Sequence, residues 1–524
     1  MVRTLLINGR IYSPWARDAS AMLVTDSEVA WLGDSASART MSADRTVDLG
    51  GALVIPAFVD AHFHTTDTGL SLSGLDLGAA GTLAEALRAV ERAARSRGGR
   101  PLLGSGWDET RWPEGRAPTA AELDRASYGG VVYLARTDAH SAVVSSALLA
   151  SVPGVAGLDG YSASGWLTKA AHHAARAVAL SAITAGQRAE LHRTALRHAA
   201  AQGVAAVHEM AGPEISSAED LAALLALVAG AAEPFPEVYG YWGELRGAAT
   251  AAELGAVGAG GDLFCDGSIG SHTAGMHEPY IDLDTPAGQP AECGYLRYDT
   301  AELAEHLVEC TEAGLQGGFH AIGDAATDQV VAAMLLAAER LGGQLAGAGH
   351  RIEHAELITD VPALAASGLI ASVQPAFDAT WGGDRGMYAR RLGAERAARL
   401  NPLAALAAAG TPLAFGADSP VTPVDPWGAV RAAVYPTNPA HALSPQAALA
   451  AHTRGGWRAA RADADSSGEL APGAPASYAI FAAGPLAVDA GEHSGLPDLA
   501  PGAELPRCLR TVVRGRQLFD SGEL

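Results

Sequence analysis

Lysine is almost missing from this chain. Lys169 is the only one, so 35 of the 36 basic residues are arginine, against 58 acidic residues and a net charge of -22. That balance excludes nucleic acid or an anionic membrane as a natural partner, because both repel an acidic protein. Cysteine is also scarce: Cys265, Cys293, Cys310 and Cys508 are scattered without a CxxC spacing. The pattern excludes a disulfide framework and a cysteine zinc site, and reads as free thiols in a reducing cytoplasm. No run of about 18 uninterrupted apolar residues occurs. The short N-terminal run is broken by Asn8-Gly9-Arg10, so neither a signal peptide nor a membrane span is expected. Charged residues are few too, at 18% against 48% hydrophobic, which excludes global disorder and supports a large core. A cytoplasmic protein acting on a small molecule is the expectation, with homo-oligomerisation left open.

Residues 1–53 alternate short β-like runs with turns, and so does the chain from about Gly468. Ile7-Asn8-Gly9-Arg10-Ile11-Tyr12 and Val513-Arg514-Gly515-Arg516-Gln517-Leu518-Phe519 both place a Gly-Arg turn between apolar residues, a hairpin signature. One small β-sandwich built from 1–55 and 467–524 is expected. Between these ends, eight apolar runs alternate with Ala/Leu-rich helical segments: LVIPAFVDAHFH, GVAAVHEM, PEVYGYWG, GDLFCDG, GGFHAIGD, HRIEHAE, IASVQPAF and PLAFGADSP. Eight β/α units predict an α/β fold, a TIM-like (β/α)8 barrel over 56–466. The first and second runs are too far apart for an ordinary loop, so residues 69–190 read as an insertion on the catalytic face.

Polar residues stand at the carboxyl ends of these runs. His62 and His64 are two apart, with Asp60 on the same strand face; His320 ends the fifth run, His354 the sixth and Asp418 the eighth. Imidazoles and a carboxylate converging at the top of a barrel are typical ligands of Zn²⁺. A lone His-x-His is weak evidence beside hydrogen-bonded core histidines; the joint arrangement on four strands is far more specific.

PAFVDAHFH, DGSIGSHTA, HAIGD, IEH and GADSP resemble, in order, the signatures of the amidohydrolase superfamily. The resemblance is to the branch of N-substituted formamide deformylases and YtcJ-like proteins, amidohydrolase family 3, and GWDETRWPEGRAPTAAELD with RTDAHSAVVSS looks like that branch's insertion. It implies the barrel, the two-ended β-domain and metal-dependent hydrolysis. Carried over by position, His62, His64, His320 and His354 are implied metal ligands, and Asp418 a ligand and proton shuttle.

One position departs from the branch. A lysine that is carboxylated and bridges two metals usually stands four residues before the DG of the DGS motif; here that residue is Asp262. Lys169 lies in the insertion, so no carboxylated lysine is expected. One divalent ion, Zn²⁺ before others, is the first expectation; two ions bridged by Asp262 or Asp266 is the second, and a metal-free barrel the third. Cys265 alternates to the other strand face and reads as packing.

Trp107, Asp108, Glu109, Trp112 and Arg116 of the insertion either form a lid over the substrate or hold the insertion together. Asp138, His140, His208 with Glu209, and His272 are candidates for substrate contact. His172 and His173, in an Ala-rich helix, read as exposed. Catalysis is expected from Asp418 as general base then acid, with His354 as hydrogen-bond donor in a one-ion site. The leading function is hydrolysis of an amide-type C–N bond, of an N-substituted formamide or a cyclic amide. A deaminase of the same superfamily is the alternative, weakened because His320-Ala321-Ile322-Gly323-Asp324 lacks the HxxE glutamate. A metal-poor ligand-binding barrel is the alternative of a different class.

Overall fold

The structure is a computed structural model that describes residues 1–97, 101–283, 290–343, 345, 347–484, 486–489 and 492–524. Eight parallel strands form the central sheet: β1 (Phe58–Phe63), β2 (Val204–Ala211), β3 (Glu237–Trp242), β4 (Gly258–Ala259), β5 (Gln316–Ala321), β6 (Arg351–His354), β7 (Ile370–Val373) and β8 (Leu413–Phe415), hydrogen-bonded in that order. The ring closes between its first and last members. Asp418 N–H donates to the His62 carbonyl at 2.8 Å, and Phe63 bridges Ser419. β1, β2, β5, β6 and β7 are buried along their whole length, as strands sheathed by helices must be.

Two expected strands divide differently. LVIPAFVDAHFH is two strands in two sheets, Leu53–Pro56 and β1, parted at Ala57. GDLFCDG is not the fourth strand; β4 is Gly258–Ala259, one residue short of it. Gly260 and Gly261 end β4 with φ of 136° and 74°. A Cβ on Gly260 would lie 2.3 Å from the Gly318 backbone nitrogen, so glycine is needed there. The chain then climbs beside β5: His320 N–H donates to the Leu263 carbonyl and Cys265 N–H to the His320 carbonyl, both at 3.0 Å. Asp262 and Asp266 thus stand on a rising loop, and Asp262 is carried toward the barrel axis.

Strands from both ends of the chain share one five-stranded sheet, in the order Arg10–Ile11, Leu53–Pro56, Tyr478–Ala482, Arg507–Val513, Arg516–Asp520. Its faces alternate with period two. Val54, Tyr478, Ile480 and Val512 pack with Leu6, Met22 and Val24 of a four-stranded N-terminal sheet. Leu53, Ile55, Ala479 and Phe481 pack on the barrel, where Phe58, Trp427 and Phe481 meet edge to face at 5.4–5.9 Å.

After β1 and the helix Thr65–Ser73, the chain builds a further five-stranded sheet from Leu75–Asp76, Leu102–Trp107, Val132–Arg136, Ser141–Val144 and Trp166–Thr168. The helix Lys169–Leu180 follows it. Among the described residues, no helix is long and apolar enough to cross a membrane.

Candidate metal centre

Six side chains converge at the carboxyl end of the barrel: His62, His64, Asp262, His320, His354 and Asp418, all buried. Three overlapping triads offer ligand atoms within 4.8 Å of one another: His62, His64 and Asp262; His62, His354 and Asp418; Asp262, His320 and His354. Asp262 lies between two histidine pairs. Its Oδ1 is 2.9 Å from His320 Nδ1 and 3.4 Å from His354 Nε2; its Oδ2 is 3.5 Å from His64 Nε2 and 3.8 Å from His62 Nε2. Asp418 Oδ1 is 3.0 Å from His64 Nε2 and 3.5 Å from His62 Nε2.

Each imidazole has its other nitrogen occupied by an acceptor. His62 Nδ1 meets Glu353 Oε2 at 2.9 Å, His64 Nδ1 the Met210 carbonyl at 3.0 Å, His354 Nδ1 the Gln374 amide oxygen at 2.9 Å, and His320 Nε2 the Gly267 carbonyl at 3.2 Å. Each imidazole thereby turns its second nitrogen toward the two aspartates. That is how outer partners orient metal-binding histidines. Burial alone would lower the pKa of His62, His64 and His320, but Asp418 and Asp262 raise it, so a bound cation would displace the protons these nitrogens otherwise hold. Glu353 is held in turn by Arg351 at 2.7 Å; burial would raise its pKa, but Arg351 and His62 keep it at about 2.

The residues present fit a divalent cation. His62 Nε2 is buried and lacks a hydrogen-bond partner. Burial alone would raise the Asp262 and Asp418 carboxyls; His62 and the neighbouring histidines instead hold both below the usual carboxylate range. Two ionised carboxylates taken out of water together require cationic compensation, which protonated imidazoles or a divalent ion in their place would supply. Two members of the cluster, His354 and Asp418, occupy left-handed backbone with φ of 69° and 52°, a conformation concentrated at functional sites.

Other candidates from the sequence fall elsewhere. Asp266 is outside the three triads: its carboxylate accepts N–H bonds from Gly275, Ile322 and Gly323, and burial pushes its pKa up to about 6. Asp60 braces the β1–β8 junction, accepting from Ala417 N–H at 2.9 Å. His208 does not reach the pocket; it lies inside the barrel with Nδ1 2.7 Å from Arg351, while its neighbour Glu209 accepts from Thr65. His272 turns away to Asp282, 3.0 Å distant, from a backbone at φ 56°. Trp107 and Trp112 are core residues of the insertion, their indole N–H groups spent on the Leu134 and Ala80 carbonyls. Asp108 accepts from Thr110 and, at 3.3 Å, from Arg136, while Arg116 pairs with Glu122. Cys265 is buried in the barrel core. Lys169 Nζ lies 5.3 Å over the Tyr295 ring.

Asp138 and His140 do reach the centre. They line a pocket of about 980 Å³ together with His64, Asp262, His354 and Asp418. Asp138 is fixed by Arg136 at 2.8 Å and by the Ser268 and Ser271 hydroxyls at 2.7 Å, which ties the insertion to the loop after β4. His140 packs on His320 at 4.9 Å between ring centroids; burial, and then the charge of His320, bring its pKa down to about 3. His172 and His173, expected at the surface, face this pocket too, because their helix packs across Tyr133. Sequence reasoning missed Glu353, Gln374, Tyr133 and Arg176. Glu353 alone left a trace, as the neighbour of His354 in the IEH motif.

Residues 45–519 match the amidohydrolase family. The chain is 27% identical over 531 residues to Protein LONG AFTER FAR-RED 3 of Arabidopsis thaliana, covering 91% of this chain and 86% of that protein. It is 26% identical to the putative amidohydrolase YtcJ of Bacillus subtilis, with 90% of each chain covered. A solved structure from Pyrococcus horikoshii, described as an uncharacterized metal-dependent hydrolase, superposes with a TM-score of 0.72 at 28% identity, covering 94% of this chain and 99% of that one. A match over so much of the length, on a barrel whose mouth gathers four histidines and two aspartates, makes this chain a member of the amidohydrolase family.

Proposed function

We propose that this chain is a metal-dependent hydrolase of an amide-type carbon–nitrogen bond, working at the mouth of the barrel. The observation that carries the reading is the set of histidine nitrogens turned toward Asp262 and Asp418, with the His62 Nε2 orphaned in a buried site. His62, His64 and Asp262 would hold one divalent ion, and Asp262, His320 and His354 a second, with Asp262 shared; Zn²⁺ suits imidazole and carboxylate ligands. Such an ion supplies a Lewis acid for a carbonyl oxygen and lowers the pKa of water to about 7.

Asp418 handles the proton. Its Oδ1 stands at the junction of the His62 and His64 edges and faces the pocket. As a carboxylate it takes a proton from the attacking water while the water oxygen bonds to the carbonyl carbon. When the C–N bond breaks, Asp418 returns that proton to the leaving nitrogen, so one water divides between an acid and an amine. His140 and Asp138 orient the substrate beside it.

The test is metal analysis joined to turnover. Purified protein is expected to contain divalent ion and to hydrolyse members of a panel of N-formyl amines, N-acyl amines and cyclic amides. The His62→Ala, His64→Ala double variant should lose both metal and activity. Asp418→Asn should keep the fold and lose activity by at least about 100-fold. Full metal content in the double variant, or near-normal turnover by Asp418→Asn, would overturn this assignment.

A further inference from the structure

Two compartments meet at the candidate centre. The larger, of about 980 Å³, lies between the insertion sheet and the helix Lys169–Leu180. The smaller, of about 350 Å³, lies on the other side, against the segment after β7. They share five lining residues, Asp138, His140, His354, Asp418 and Val421. Their junction is therefore the place where the proton-handling carboxylate stands. A bond cleaved there has one substituent in each compartment.

The walls say what those substituents are. In the larger compartment Leu103 and Ser105 on one strand and Tyr133 and Ala135 on its neighbour face Leu70 and Leu180, and the rings of His172 and His173, kept uncharged by burial, complete the wall. The charged groups along this wall already have partners: Arg176 with Asp67, Arg136 with Asp138, and Glu214 with Arg297. A charged substituent would lose its hydration without meeting a free counter-charge among the described residues. The smaller compartment is walled by Ile269, Ile322, Phe377, Trp381 and Met387, and its one further acid, Glu356, accepts from the Tyr388 hydroxyl at 2.5 Å.

We infer that the substrate is an uncharged amide with an apolar group on each side of the C–N bond, the bulkier group beside the insertion sheet, rather than a formamide or an amino acid derivative. This inference rests on the hydrolase reading above and names its substrate class. A formamide has only hydrogen on the carbonyl side, which would leave one built compartment empty. An apolar group that fills such a space contributes one to two orders of magnitude in kcat/KM. Ser105 limits the larger compartment with a small side chain that makes none of the hydrogen bonds shared by the centre, and Met387 limits the smaller.

The experiment compares N-phenethylbutanamide, N-phenethylformamide and N-phenethylsuccinamate on the metal-loaded protein, by turnover and by calorimetric binding. The butanamide is expected to exceed the formamide and the carboxylate-bearing succinamate by at least about tenfold in kcat/KM. Met387→Phe, which narrows the smaller compartment, should lower kcat/KM at least about tenfold more for the butanamide than for the formamide, whereas Ser105→Phe, which narrows the compartment for the phenethyl group they share, should lower both; each variant is checked for folding by thermal unfolding and for metal content. Equal or better use of the formamide, free use of the succinamate, equal losses on both substrates in Met387→Phe, or no loss on either in Ser105→Phe would overturn the inference while leaving the hydrolase reading in place. Selective calorimetric binding of the butanamide, weakened by Ser105→Phe but without turnover, would support the compartments and sink the hydrolase reading instead.

Discussion

Asp262 divides its two oxygens between two pairs of histidines, although its side chain is several ångströms shorter than a carboxylated lysine. The backbone makes up the difference. Because β4 stops at Gly260 and Gly261, residue 262 leaves the strand line and rises toward the axis. His320 adapts as well, offering Nδ1 to Asp262 where the other three histidines turn Nε2 inward. If the carboxylate is shared by two ions, removing it weakens both. Asp262→Ala is expected to drop metal content from about two ions per chain to about one or fewer, read by elemental analysis against protein concentration. Unchanged metal content would show that Asp262 is not a ligand, and would return the site to a single ion on His62, His64, His320 and Asp418.

The insertion reaches the barrel through an ionic knot that is buried apart from Asp282 at its edge. Arg391, from the segment after β7, donates to Glu109 of the insertion at 2.7 Å, to the Gly270 carbonyl at 2.9 Å and to Asp282 at 2.5 Å. Arg136 completes the knot with Glu109 and Asp138. Arg391→Leu leaves Glu109 with Arg136 as its remaining cation and should cost about 2 kcal/mol. The loss is expected as faster amide hydrogen exchange over residues 101–144, with the barrel strands unchanged and KM raised; uniform exchange throughout the chain would refute this fastening role. The barrel was legible because its eight apolar runs and intervening helices carry a local period. The cluster residues were legible because they sit at strand ends. The route from β4 to Asp262 was not, since two left-handed glycines change direction without altering hydrophobicity. Nor were His172, His173 and His272 placed well: what each faces is decided by the packing of distant segments. Glu353 and His354 both turn inward although they are sequence neighbours, because φ of 69° at His354 breaks strand alternation. No period in the sequence marks that.

Across the whole molecule, histidines buried without charge set the response to acid. Burial brings His452 and His350 to a pKa of about 4, far from the metal centre. His452 donates to the Val59 carbonyl at 3.0 Å and packs against Phe58 and Phe415. Below about pH 6.5 the unfolded chain binds protons that the folded chain does not. Stability therefore falls as pH drops from about 6.5 to about 4 and levels off below, by up to about 3 kcal/mol per group. His452→Gln should flatten the dependence of Tm on pH across that window; an unchanged slope would mean that this imidazole is already charged in the fold. The five-stranded sheet has a different consequence, in time. Leu53–Pro56 leaves the ribosome long before its neighbour Tyr478–Ala482, with the whole barrel between them in sequence. For roughly half a minute at ordinary rates of translation, its apolar face waits without a cover. The nascent chain must shelter that edge until Tyr478–Ala482 pairs with it.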